Sequence, residues 1–173
     1  MTSLRQIFAP YQTPIDQLRL RLDEICPAGA KIEQIEKNKK MFVGLCRVID
    51  PHKIVLPHQD DIRWDHQQDK LANLINQLAV NIYLKIPETG GELELWDYGF
   101  STKEEYSKEA GESYGISKEK IKPPVVTITP KVGELIIFNP RNLHCILPGD
   151  SARMSQSCFL GFSGDDNPMT YWS

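Results

Sequence analysis

The residues that can do chemistry begin at His58-Gln59-Asp60. Residues two apart on an extended segment face the same side, so His58 and Asp60 face together and Gln59 faces away. Much later in the chain, His144 follows the proline-bounded turn Asn139-Pro140 and offers a second imidazole. Two imidazoles and one carboxylate hold one face of an iron(II) ion and leave the other face open to O2 and a co-substrate. Zinc more often takes a closed tetrahedral set of ligands. Nine positions past His144, Arg153, Ser155 and Ser157 share one face of a strand. A guanidinium fork grips a carboxylate through two hydrogen bonds, and Ser155 adds a hydroxyl donor.

Short elements must position these groups. Leu18, Leu22 and Ile25 recur at helical spacing behind Thr13-Pro14, which suits a cap and first turn, and Cys26-Pro27-Ala28-Gly29 ends that helix. The first forty residues therefore read as a helical segment, with the charged run 31–40 as a solvated connection. From Met41 the texture turns to strands: 42–49, 54–56 running into Pro57-His58, 78–86, 92–96, 125–129, 134–138, 143–147 and 153–162. Turn residues such as Asp50-Pro51, Gly90-Gly91 and Pro148-Gly149-Asp150 separate them. Polar residues 65–77 have room for a short helix. Residues 97–124 form a long polar insertion, with a helical turn or two over 102–110, and read equally as a lid or as a solvated loop. Many short strands with frequent turns predict a mainly β protein, a sandwich or barrel with N-terminal helices packed on one face.

Composition excludes some roles. The 173 residues fit a single domain with a substantial core. A formal charge of −3 and a pI near 5.8 give no electrostatic footprint for nucleic acid. No apolar run approaches the roughly 20 residues of a membrane span, and the N-terminus lacks the layout of an export signal. The four cysteines form no CxxC pair and suit free thiols in a reducing cytoplasm. Cys145 follows His144 directly and points to the opposite face of the strand. His52 and His66 have no partner spacing and read as loop histidines, although His66 can line an entrance.

The order of these pieces resembles the iron(II)/2-oxoglutarate-dependent dioxygenase superfamily, in its prolyl-hydroxylase-like branch. The resemblance rests on His58-Gln59-Asp60, on 80–85 leading to Gly90-Gly91-Glu92-Leu93, on 133–138 followed by 141–144, and on Arg153-Met154-Ser155. It covers roughly 41–162. It implies a double-stranded β-helix (jelly roll) core over 41–162, carrying the 97–124 insertion and preceded by the 1–40 helical segment. It further implies His58, Asp60 and His144 as catalytic iron ligands and Arg153 as the partner of the distal carboxylate of 2-oxoglutarate. Ser155 and Tyr83 would support that carboxylate, and Asn81 shares their face. The collagen-type prolyl hydroxylases carry lysine in place of this arginine, which sets this chain apart from them.

The reaction implied is hydroxylation of an unactivated C–H bond, with O2 and 2-oxoglutarate consumed and succinate and CO2 released. In related halogenases the carboxylate position is a small residue that leaves room for halide; here it is Asp60. The favoured substrate is a small metabolite or amino-acid derivative, with Arg47, Arg63, Trp64 and Trp96 expected around the entrance. Hydroxylation of a protein or peptide side chain is the alternative within the class. A non-catalytic, cupin-like metal-binding module is the alternative outside it.

Overall fold

The computed structural model describes residues 2–36, 38–66, 71 and 73–173. Within them the chain is mainly β, with few helices. Helices α1 (Thr2–Phe8) and α2 (Pro14–Ile25) open it. Then come β1 (Ala30–Ile32), β2 (Gln34–Glu36), β3 (Lys39–Lys40), β4 (Leu45–Ile49), β5 (Val55–His58) and the one-turn α3 (Ile62–Asp65). Strands β6 (Asn76–Lys85) and β7 (Leu93–Leu95) precede α4 (Lys103–Ala110) and a 3-10 turn (Lys118–Lys120). The chain closes with β8 (Val126–Ile128), β9 (Leu135–Phe138), β10 (His144–Ile146), β11 (Arg153–Phe162) and β12 (Met169–Trp172).

Two sheets face one another. The larger runs β1-β12-β11-β6-β9, with β4 pairing the first half of β11. The smaller runs β5-β10-β7-β8, and β2-β3 form a separate hairpin. Both long strands of the larger sheet, β6 and β11, alternate in a way that the sequence makes legible. Val80, Ile82, Cys158 and Leu160 point to one side and pack with Ile15 and Leu22 of α2. Ala79 and Phe159 point to the other side, where they meet Leu93, Ile146, Val55 and Leu95 of the smaller sheet. That inner face also carries Asn81, Tyr83, Arg153, Ser155 and Ser157 near one end.

Helix α2 begins as expected. Thr13 caps it, its hydroxyl accepting from the Asp16 amide at 3.1 Å, and Pro14 takes the first turn. Asp16 in turn binds Arg5 and Arg19, and these contacts outweigh the cost of partial burial at its carboxyl, which lies below its usual range.

Two expectations change. Residues 31–40 are not a solvated connection: Ala30–Ile32 pairs in parallel with β12, and Gln34–Glu36 pairs with Lys39–Lys40. Three-residue strands take their hydrogen bonds from a distant partner, and their own side-chain pattern is too short to announce them. For the same reason β12, beyond the expected end of the strands at 162, joins the larger sheet through Phe159–Gly161 and buries Tyr171 and Trp172. The helix expected at 102–110 is α4, capped by Thr102. The helix expected within 65–77 falls largely on 67–70 and 72, outside the described residues; the described turn of helix lies earlier, at Ile62–Asp65. No helix among the described residues is long and apolar enough to cross a membrane.

Ile15 is fully buried under the larger sheet. Ile15→Ala should lower unfolding free energy by about 2–5 kcal/mol in chemical denaturation. Arg21→Ala, on the exposed side of α2, should change it by less than about 0.5 kcal/mol.

Candidate active site

The site grows from the pairing of β5 with β10. These strands run antiparallel with His144 directly opposite His58, so the two imidazoles project side by side, ring centroids 4.2 Å apart. Asp60 follows two residues after His58, beyond the end of the strand. Its backbone is pinned twice: its amide donates to Pro140 O at 2.9 Å, and its carbonyl accepts from the Gln77 side chain at 3.3 Å. The Asp60 carboxylate then lies 3.9 Å from His58 Nε2 and 3.5 Å from His144 Nε2. One donor atom from each of the three residues falls within 4.8 Å of the others.

The hydrogen bonds on the far side of each ring fix which nitrogen is free. His58 Nδ1 lies 2.8 Å from Leu56 O, and His144 Nδ1 lies 3.1 Å from Asn142 O. A carbonyl only accepts, so each Nδ1 carries a proton and each Nε2 is the ring nitrogen that faces Asp60. Burial, reinforced by neighbouring His144, pushes His58 down to about 4, so its ring is neutral at pH 7. Burial opposes ionisation of Asp60, but the hydrogen bond and charge of His144, with His58 and Arg47, outweigh it and hold the carboxyl below its usual range. Two imidazole Nε2 atoms and a carboxylate converging on one point are the donor set for a divalent metal with open positions.

Beside the triad, a cavity of about 80 Å³ is lined by Asn81, Arg153, Ser155 and Phe138 as well as His58, Asp60 and His144. Arg153 is 3% exposed, and its guanidinium carbon lies 4.8 Å from the ring centre of the buried Tyr83. Ser155 pairs with Tyr83 across the strands, and Ser157 with Asn81, so all four share the inner face. Arg153 Nε and Nη1 and the Tyr83 hydroxyl are buried with no hydrogen-bond partner among the described residues. Burial weakens the hold of Arg153 on its proton and raises the Tyr83 phenol above its usual range. Leaving a buried guanidinium unpaired is costly. A carboxylate entering this cavity would supply the missing acceptors, so the residues fit a dicarboxylate beside a metal.

The structure therefore brings together His58, Asp60, His144, Arg153, Ser155, Tyr83 and Asn81. Trp64 lines a groove of about 370 Å³ on the open side of His58 and Asp60, along with His66 and Tyr106. Arg63 and Trp96 depart from expectation. Arg63 is turned back onto Asp61, the cap of α3, donating from Nε at 2.9 Å and from Nη2 to the second carboxylate oxygen. Trp96 is 2% exposed, on the face of β7 that points away from the cavity, and its indole N–H donates to Lys122 O at 2.6 Å. Neither lines either space.

Insertion 97–124 is a packed cover. Ile116, Tyr98, Phe100, Tyr106 and Ile121 bury Trp96, Leu143 and Cys145 on the outer face of the smaller sheet. Cys145 points there as expected, donating to Glu94 at 3.1 Å, and Lys118 binds the same carboxylate. Burial and Glu94 push this thiol up to about 12, so it stays protonated. Gln59, facing away from the candidate metal ligands, clasps the cover: it accepts from the Phe100 amide at 2.7 Å and donates to Phe100 O at 2.9 Å. A side chain at Gly99 would stand 2.0 Å from Arg141 O, so the approach of this segment requires glycine. From the cover, Tyr114 reaches back to the site, its ring 5.2 Å from that of His58 and its hydroxyl 3.4 Å from His58 Nδ1. Tyr114 lies 56 positions from His58, and no local pattern announces it.

The family model of the carrier-protein-independent halogenase WelO5 matches residues 3–173. The chain is 29% identical over 182 residues to the L-gamma-glutamyl-L-propargylglycine hydroxylase of Streptantibioticus cattleyicolor, covering 99% of this chain and 64% of that protein. It is 30% identical over 156 residues to leucinostatins biosynthesis cluster protein S of Purpureocillium lilacinum, covering 86% of this chain and 63% of that protein. The chain thus spans somewhat under two thirds of the length of these relatives. Among solved structures it is similar in fold to an N-substituted L-amino acid dioxygenase of Burkholderia ambifaria in complex with alpha-KG. There the TM-score is 0.63 at 21% identity, over 83% of this chain and 58% of that one.

Gln59→Ala should release the cover. Amide exchange should accelerate over 98–116 while β6 and β11 stay protected, at a cost of about 1–3 kcal/mol for the lost buried hydrogen bonds. Unchanged exchange over 98–116 would show that the aromatic cluster alone holds it.

Proposed function

The chain belongs to the family of the carrier-protein-independent halogenase WelO5, within the iron(II)/2-oxoglutarate-dependent oxygenase superfamily, and from that premise we propose that it is a hydroxylase of a small amino-acid derivative. The observation that carries this reading is Asp60. Its carboxylate converges with His58 and His144 on one point, where the halogenase pattern leaves a small residue. With a carboxylate there, the position for halide is filled. The named hydroxylase and dioxygenase among the relatives support the same choice.

His58, Asp60 and His144 would hold the iron, and Arg153 with Tyr83 and Ser155 would hold the distal carboxylate of 2-oxoglutarate, Asn81 lining the same cavity. When bound, iron with 2-oxoglutarate and O2 supplies the oxidising power that turns a C–H bond into C–OH, with succinate and CO2 as co-products. The protein's own contribution is positional. Leu56 O and Asn142 O keep both Nε2 atoms aimed inward. Arg153 neutralises and orients an anionic co-substrate in a space that admits little water. Phe138 and Leu93 supply apolar wall, which limits stray hydrogen donors near the reacting centre.

The two facing sheets support a double-stranded β-helix, with the chain as one domain and 97–124 as its insertion. Four free cysteines support a reducing, cytoplasmic setting. The relatives' substrates, both amino-acid derivatives by name, support a small molecule over a protein side chain.

Anaerobic addition of iron(II) and 2-oxoglutarate should produce the weak visible charge-transfer absorption of an iron–keto acid chelate, and O2 should then release succinate. Absence of both would overturn the oxygenase reading. Asp60→Gly should abolish hydroxylation, read as loss of the product one oxygen atom heavier; unchanged turnover would remove Asp60 from the ligand set. Arg153→Ala should raise the KM for 2-oxoglutarate about 10- to 100-fold, with iron binding retained.

A further inference from the structure

Arg153 is not the only arginine facing the metal ligands. On β4, Arg47 pairs with Ser155 of β11, which pairs on its other side with Tyr83. Tyr83, Ser155 and Arg47 therefore form one row across the inner face of the larger sheet. Arg47 lines the inner cavity together with His58, Asp60 and Arg153. It also lines an open groove of about 470 Å³ that continues outward past Ile49, Val55 and Tyr114. One side chain thus stands where the inner cavity meets the surface.

Two other nearby basic groups are engaged. Arg63 is held by Asp61, and Lys103 by Asp65 and the Trp64 carbonyl. Arg153 has an assigned task inside. The Arg47 guanidinium makes no hydrogen bond or ion pair among the described residues, although its charge acts on His58, Asp60 and Arg153. The acid nearest this set, Asp60, is committed to the metal in the reading above. Lys53 adds a second cation to the groove, and Asp50 offers one opposing charge. Ile49, Val55 and the Tyr114 ring supply apolar wall beside the guanidinium.

We propose that Arg47 binds the carboxylate of the primary substrate, so that this enzyme acts on an organic acid whose apolar chain lies along Ile49, Val55 and Tyr114 and whose reacting carbon reaches toward Asp60. The inference rests on the oxygenase reading and adds the substrate class and the residue that selects it. A guanidinium fork matches a carboxylate through two hydrogen bonds, and a carboxamide in its place forfeits the charge. The same fork lies near enough to Arg153 that the alternative, both arginines on 2-oxoglutarate, needs its own arm in the test.

The test uses the full chain loaded with Zn(II), as a redox-silent stand-in, and 2-oxoglutarate. The probes are N-acetyl-L-valine, N-acetyl-L-leucine and N-acetyl-L-norvaline, with the matching primary amides, followed by saturation-transfer NMR. At least one acid should bind the unmodified chain while its amide does not. Arg47→Ala should weaken that acid about 10- to 100-fold, and Arg47→Lys should restore part of it. Binding of 2-oxoglutarate and the melting temperature should stay unchanged in both variants. Equal binding of acids and amides, no binding of any acid, or full binding by Arg47→Ala would overturn the assignment. Loss of 2-oxoglutarate in Arg47→Ala alone would also overturn it, by moving Arg47 to the co-substrate. Failure of the unmodified chain to bind 2-oxoglutarate would instead bring down the oxygenase reading, and the Arg47 assignment with it.

Discussion

The antiparallel register of β10 on β5 is the constraint on which the site depends. It sets His144 opposite His58. Because successive side chains on a strand alternate, a slip of one residue would turn Cys145 inward and His144 outward. The register is held from both sides: β7 pairs with β10 so that Leu93 and Ile146 face the core, while Glu94 and Cys145 meet on the outer face. The candidate metal centre, built across two strands, thus takes its geometry from an apolar core on one side and a buried polar cluster on the other.

Burial of charge is the second theme. Asp61 is 5% exposed, yet it accepts from Arg63 and faces Arg141 Nε at 3.3 Å, so it is compensated within the protein. Arg153 is buried to a similar degree and has no acidic partner among the described residues. Asp61 caps a helix and fastens the chain just beyond the candidate metal ligands; Arg153 has no such partner. The contrast separates a compensated structural charge from a candidate anion site, because leaving a buried cation uncompensated is costly.

The cover over the smaller sheet links the two themes. Its aromatic side chains hide Trp96 and Leu143, Gln59 ties it to the segment that bears His58 and Asp60, and Tyr114 returns to touch His58. One residue of the tripeptide therefore serves the cover while its two neighbours face the candidate metal site. The cover and the candidate ligands are thus joined through three consecutive residues.

Sequence alone determined what depends on alternation and chemical type: that His58 and Asp60 share a face, that Cys145 opposes His144, that Arg153 and Ser155 lie together, and that Thr13 caps α2. These are local consequences of a two-residue period and of hydrogen-bonding capacity. The fate of Arg63 was also written locally, in Asp61 two positions earlier, but it emerges only once α3 closes its turn. Tertiary structure decided the rest. Trp96 is buried because a segment from elsewhere in the chain folds over it, and Tyr114 and Arg47 reach the site through strand pairing and chain return. Strands β1 and β12 exist because distant backbone supplies their hydrogen bonds. A side chain's type and facing are fixed within a few residues of chain, whereas what covers it, and whether its charge finds a partner, is fixed by segments dozens of positions away.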